Sequence, residues 1–286
     1  GGGGGGGAQQ SYALQFTAAE LRKPLKLEFG ADDVRMHEWA DALIMHGVSS
    51  LHMAVRKADI DKVRALLKGS ASDVAARLNR VDFGGETPLH VALNDQVDRV
   101  RSQICRTLIG AYALYPEADI NLPDASSGNT PLHSAGLMED DSLAKLLQNR
   151  SIVVNVRNVN GNTPLHYFCA KFRSPNFAEI LDAFLKKGAD KNAVNELGET
   201  PLHKAVFNQS LRRLMVQELV RVGASVNLAT NTGATPLHYA VTHRRPDLVK
   251  LLLVAGAHMD VRDHEHRTPL DIAVASSQPQ SATLLV

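Results

Sequence analysis

The chain has 286 residues, with 31 Lys+Arg against 30 Asp+Glu, a formal charge of +1. That balance argues against a dedicated nucleic-acid binder, which carries a basic excess. Apolar residues make up 44% and charged residues 21%, the composition of an ordinary soluble globular protein. The two cysteines, Cys105 and Cys169, exclude a multi-bridge secreted framework, and no apolar run reaches the ~18 residues of a membrane helix. A reducing, cytoplasmic setting is the expectation.

The chain opens on Gly1–Gly7. With no basic start and no apolar stretch behind it, this tract is not a secretory signal. Residues 1–9 read as a low-complexity linker. From residue 10 to 46 the pattern changes. Tyr12–Thr17 and Leu25–Phe29 alternate like half-buried strands, with Pro24 between them. A helix from Ala31 to about His46 follows, its apolar face holding Val34, Met36, Trp39, Ala42 and Leu43. Two strands and a closing helix with one central Trp resemble the C-terminal end of a pleckstrin-homology domain. An N-terminal cap on the units that follow is the alternative. That family's phosphoinositide-binding loop lies between its first two strands, a part not matched here. No lipid-binding residue carries over, and membrane association is expected only through this incomplete segment.

Residues 47–286 repeat. Thr-Pro-Leu-His occurs at Thr87–His90, Thr130–His133, Thr163–His166, Thr200–His203 and Thr235–His238, with a variant at Thr268–Asp271 and a weaker one at Ser49–His52. Successive copies from Thr87 lie 43, 33, 37, 35 and 33 residues apart. Each copy is a helix start: Thr caps, Pro occupies the first turn, Leu faces the core and His reaches back to the cap. Gly85, Gly128, Gly161, Gly198 and Gly233 sit two residues before the Thr, as a tight turn requires. A second apolar helix follows, as at Ala178–Leu185 and Pro246–Val254, and several end in Gly-Ala, a helix stop. Asn121, Asn155, Asn192, Asn227 or Asp260 then opens the return loop.

This unit resembles the ankyrin repeat, with seven copies. The resemblance implies an all-α solenoid of helix-turn-helix units with β-hairpin-like loops, preceded by the small strand-strand-helix segment. Three departures stand out. Arg99–Pro116 should lengthen the second helix of repeat two or the loop after it. Repeat one, without Thr-Pro, should be the least regular. His266 replaces the turn glycine of repeat seven. Thr283–Val286 offers an apolar rather than a polar end, so a piece of a longer chain is expected.

Twelve histidines invite a metal or catalytic reading, but six hold the capping position and are expected to make turn-to-helix hydrogen bonds. His264-Glu265-His266 reads as a solvated turn tip, and Cys169 as a small buried side chain. No nucleotide-binding, nucleophile-elbow or zinc-protease motif is present. No catalytic residue, metal site or cofactor is expected, and the chain is not expected to be an enzyme.

In the ankyrin family the turn tips and the inner face of the first helices carry partner recognition. Matched position by position, the resemblance implies tip contacts at Val159, Asn160 and Asn162, then Glu196, Leu197 and Glu199. Asn231, Thr232 and Ala234 follow, then His264, Glu265 and Arg267. Phe207, Asn208, Thr242 and His243 are the inner-helix contacts, with Phe207 and Leu197 as apolar anchors. A protein partner, no nucleic acid and a monomer are expected. Two other functions stay open: membrane recruitment through the pleckstrin-homology-like part, and a regulatory arm of a larger enzyme. Asn155, Asn192 and Asn227 also stand where ankyrin repeats undergo asparaginyl hydroxylation. The other reading makes them turn residues held by their own hydrogen bonds.

Overall fold

The computed structural model describes residues 48–94, 99–136, 141–208 and 212–286. The glycine linker and the pleckstrin-homology-like segment lie outside the described residues. Within them the chain is helical, with fifteen helices and no strand. Seven are inner helices: α1 (Ser50–Arg56), α4 (Pro88–Asn94), α6 (Pro131–Ala135), α8 (Pro164–Lys171), α10 (Pro201–Val206), α12 (Pro236–Thr242) and α14 (Pro269–Ala275). Each is followed by an outer helix: α2 (Ile60–Leu66), α5 (Arg99–Leu114), α7 (Ser142–Gln148), α9 (Phe177–Lys186), α11 (Arg212–Arg221), α13 (Pro246–Val254) and α15 (Pro279–Leu284). Inner helices pack on inner helices and outer on outer, each unit on its neighbours, which is solenoid architecture.

The inner helices are too short to be stable alone. Reciprocal capping holds their first turn. At Thr200 the backbone N–H donates to His203 Nδ1 at 3.1 Å, and the hydroxyl accepts from the His203 backbone N–H. The same box closes α1, where Ser49 stands in for Thr, and α14, where Asp271 stands in for His. Repeat one is therefore capped as regularly as the rest. Its irregularity comes after it, in an extra helix α3 (Ala71–Asn79) that the sequence reading did not anticipate. Ser70 caps α3, and Val74, Ala75 and Leu78 bury its apolar face. The Arg99–Pro116 insertion does lengthen an outer helix: α5 runs 16 residues.

Two ladders tie the units together. Each capping histidine spends Nδ1 on its own turn, so Nε2–H donates to a carbonyl of the next repeat: His52 to Glu86, His90 to Asn129, His133 to Asn162, His166 to Glu199, His203 to Ala234 and His238 to Arg267. On the return loops one asparagine per repeat bridges forward. Asn155 donates to Gly188 O at 2.8 Å and accepts from Asp190 N at 3.0 Å. Asn79, Asn121 and Asn227 make the same pair of bonds one repeat on, and Asn192 accepts from Ser225 N.

The core is aliphatic, built from Leu, Val, Ile and Ala with Phe168, Phe172 and Phe184 at repeat four. Cys105 and Cys169 are buried free thiols, and burial pushes the Cys169 thiol well above its ordinary value.

Candidate functional site

Each turn tip is closed by its own side chain. Asn195 Oδ1 accepts from the Leu197 and Glu199 amides, and Asn158 and Asp263 repeat the pattern. The backbone reverses through a left-handed residue: Gly198 at φ +75°, and His266 at φ +61° in the seventh repeat. Glycine suits this region because it has no Cβ to clash. Successive tips then hydrogen-bond into a strip. Val159 donates to Ser127 O, Glu196 to Asn160 O, Asn231 to Leu197 O and His264 to Thr232 O, all at 2.9–3.0 Å. Most of the residues whose backbones make these contacts expose their side chains along a hydrogen-bonded edge.

Val159 and Leu197 are 64% and 63% exposed, so two large apolar side chains stand on adjacent tips. Asn160, Glu196, Asn231, Thr232, His264, Glu265 and Arg267 are exposed beside them, while Asn162 and Ala234 are half-buried. Salt bridges steady the polar ones. Glu196 pairs with Arg157 at 3.2 Å, and Arg267 pairs with Asp263 and Glu265 at 2.8 and 2.7 Å.

The inner face of repeats five and six carries an aromatic cluster. Phe207, 39% exposed, meets the Tyr239 ring edge-on at 5.4 Å and the His243 ring at 4.5 Å. Tyr239 also packs edge-on against His203 at 5.1 Å. Thr242 and His243 are exposed. Phe207 is therefore a buttressed side chain with one face open to solvent.

Two expected contact residues are corrected. Glu199 is 4% exposed and lies beneath this cluster. Its carboxylate accepts from Lys204, from Asn195 Nδ2 at 2.9 Å and from the Tyr239 hydroxyl at 3.1 Å. Burial by itself would raise its pKa, but the bonds from Lys204 and Asn195 outweigh it and hold the carboxyl below its usual range. Glu199 therefore ties repeats five and six together, and a charge reversal there would disrupt the fold. Asn208 is 1% exposed because its Nδ2 donates to Cys169 O and Phe172 O at 3.2 and 2.9 Å. Both are structural bridges between repeats.

The family model for ankyrin repeats matches this chain three times, over residues 99–195, 167–263 and 214–286. The chain belongs to the ankyrin repeat family. A probable serine/threonine-protein kinase of Dictyostelium discoideum is 43% identical over 227 residues, covering 79% of this chain and 26% of the relative. The stress-activated protein kinase alpha of the same organism is 56% identical over 137 residues, covering 48% of this chain and 22% of the relative. The chain thus spans about a quarter of the curated relatives it matches. Among solved structures, the ankyrin repeat domain of Bcl-3, of the IkappaB family, superposes with a TM-score of 0.65 at 26% identity, over 84% of this chain and 98% of that one.

The ankyrin domain brings Phe207 and His243 together and sets Val159 and Leu197 on the neighbouring strip. Tyr239, absent from the sequence reading, joins them. Its signal was the aromatic directly after Thr235–His238, where repeat five has Lys204. Among the described residues no three His, Cys, Asp or Glu side chains gather into a metal site, and no helix is long and apolar enough to cross a membrane.

Proposed function

We propose that this ankyrin domain is a non-catalytic protein-interaction module that holds a partner on the tip strip and inner-helix face of repeats four to seven. Ankyrin repeats mediate protein–protein interaction, and an ankyrin domain is generally non-catalytic. The observation that carries the reading is the pairing of a rigid frame with exposed apolar side chains. Phe207, Leu197 and Val159 stand on hydrogen-bonded elements, so little ordering is needed on binding. Val159, Asn160, Asn162, Glu196, Leu197, Phe207, Asn231, Thr232, Thr242, His243, His264, Glu265 and Arg267 are the proposed contacts, on a monomer.

The test is affinity capture with the wild-type chain and with Phe207→Ala and Leu197→Ala, whose folding is followed by circular dichroism. A partner held by the wild type should be lost or weakened about tenfold or more in the variants at unchanged helicity, as for buried apolar anchors. Undiminished capture by both variants would overturn the proposal.

A second reading is favoured by the two Dictyostelium kinases above, of which the matched stretch is about a quarter. In it the module is the regulatory or targeting arm of a larger protein kinase. The membrane reading rests on residues outside the described ones, and no observation supports it.

A further inference from the structure

We propose that the inner face of repeats four to six takes an acidic protein segment carrying an aromatic or large aliphatic anchor. This deepens the reading above and rests on it. The chain as a whole is electrically balanced at +1. Its inner face is not. Helices α8, α10 and α12 read PLHYFCAK, PLHKAV and PLHYAVT, without one Asp or Glu. The residues that leave them, 172–176 and 243–245, add Arg173, Arg244 and Arg245, again without a carboxylate.

The state of these cations decides the sign of the face. Lys204 is neutralised by buried Glu199, and Arg245 by Asp247 at 3.0 Å. Lys171 and Arg173 are exposed, and no carboxylate pairs with either among the described residues. Arg244 is exposed, its Nη2 donates to the Ser276 carbonyl at 3.1 Å, and no carboxylate pairs with it among the described residues. It also sits at φ +54°, a conformation that favours glycine. The carboxylates nearby in sequence, Glu179, Glu218 and Asp247, belong to outer helices, and Glu218 already pairs with Arg221.

Among the described residues, cations without a carboxylate partner therefore stand at the ends of α8 and α12, the two helices that pack on either side of α10 and Phe207. A partner that buries a side chain against Phe207 brings its flanking residues over Lys171, Arg173 and Arg244. Carboxylates there gain attraction, and cations there are repelled. A lipid headgroup or a nucleic-acid phosphate would use the charge but leave the aromatic cluster unemployed. The cluster favours a peptide.

The experiment selects random 16-residue peptides displayed on phage against the immobilised full chain. Enriched sequences are then synthesised with a fluorophore, and binding is read by fluorescence anisotropy. Vesicles containing phosphatidylserine and a single-stranded 20-mer DNA run alongside. The expected winners carry net negative charge around an aromatic or large aliphatic residue. Their affinity should fall about tenfold or more in K171E/R173E and in Phe207→Ala, and fall again between 50 and 300 mM NaCl. K171Q/R173Q, which removes the charges without reversing them, should lie between wild type and the reversal. Circular dichroism melting checks that each variant is folded. Enrichment of neutral or basic peptides overturns the charge assignment and leaves the protein-binding reading standing. So does equal affinity of acidic peptides for the wild type and K171E/R173E. No peptide enriched above background overturns both. Vesicle or DNA binding lost in K171E/R173E, with no acidic peptide enriched, assigns the face to that other occupant.

Discussion

Each capping histidine is fixed in one protonation state by its bonds. Nδ1 accepts from a backbone N–H, so the proton sits on Nε2, which donates to the next repeat. Burial is the main reason that His133, His166 and His203 are pushed down to about 4 from 6.5, and His52, His90 and His238 are lowered by the same cause. An unfolded chain takes up protons near pH 6.5 while the folded one resists them. Stability is therefore complete above about pH 6.5 and is lost as pH falls toward 4. At pH 5 each of His133, His166 and His203 costs on the order of 2 kcal/mol. The urea midpoint should fall steeply between pH 7 and 5, and an unchanged midpoint would contradict the neutral state of the buried rings. Glycines divide in a similarly specific way. A Cβ on Gly198 would lie 2.6 Å from the Asn231 amide nitrogen, whereas one on Gly188 meets nothing within 4 Å, though both have positive φ. Gly188→Ala should cost about 1 kcal/mol of backbone strain. Gly198→Ala should cost clearly more, about 2–3 kcal/mol, because the tip strip must also shift. Equal thermal shifts for the two would mean that the close approach of the tips is unimportant.

At the scale of the element, one residue type does two jobs. His203 closes the six-residue α10 and joins it to repeat six, so His203→Ala orphans the buried Thr200 amide and removes one of the two bonds to the half-buried Ala234 carbonyl. A loss of about 3 kcal/mol is expected. Asp271 closes α14 at an exposed position and reaches no further repeat among the described residues. Asp271→Ala should cost only about 1 kcal/mol, the worth of a helix cap. Denaturation curves of the two variants decide this, and a larger loss at Asp271 would reverse the argument. These elements were legible because Thr-Pro-Leu-His is local chemistry: cap, first turn, core and reach-back lie within four residues. Helix α3 was not anticipated. Its cap Ser70, with Asp73 three residues on, and its apolar residues Val74, Ala75 and Leu78 are a helix signal, but the segment lies outside the Thr-Pro-Leu-His repeat that organised the reading. It forms because the wider spacing leaves room against α4 and α5.

Over the whole molecule, each of repeats two to six packs on two neighbours among the described residues, and repeats one and seven on one. In α12 five residues are buried, but in α14 only Pro269 and Ala273 are, and in α15 only Ser281. Amide hydrogen exchange should therefore be slowest in α8–α12 and fastest in α15, with a graded rise between them. Uniform protection from α8 to α15 would show one cooperative unit instead.

The sequence by itself determined the unit, its number and its family. It also placed Val159, Leu197 and Phe207 among the outward positions, since all of this rests on a short motif recurring at a near-constant interval. Only the tertiary structure decided which polar residues are surface. Glu199 and Asn208 hold tip and inner-helix positions in the repeat, yet both are buried. What buries them comes from neighbouring repeats: Tyr239 from one, and the Cys169 and Phe172 carbonyls from another. A balance of +1 also conceals the charge of the inner face, because α8, α10 and α12 carry no carboxylate of their own. The burial of Glu199 and Asn208 depends on residues some thirty to forty positions apart, and a pattern read along one repeat does not contain them.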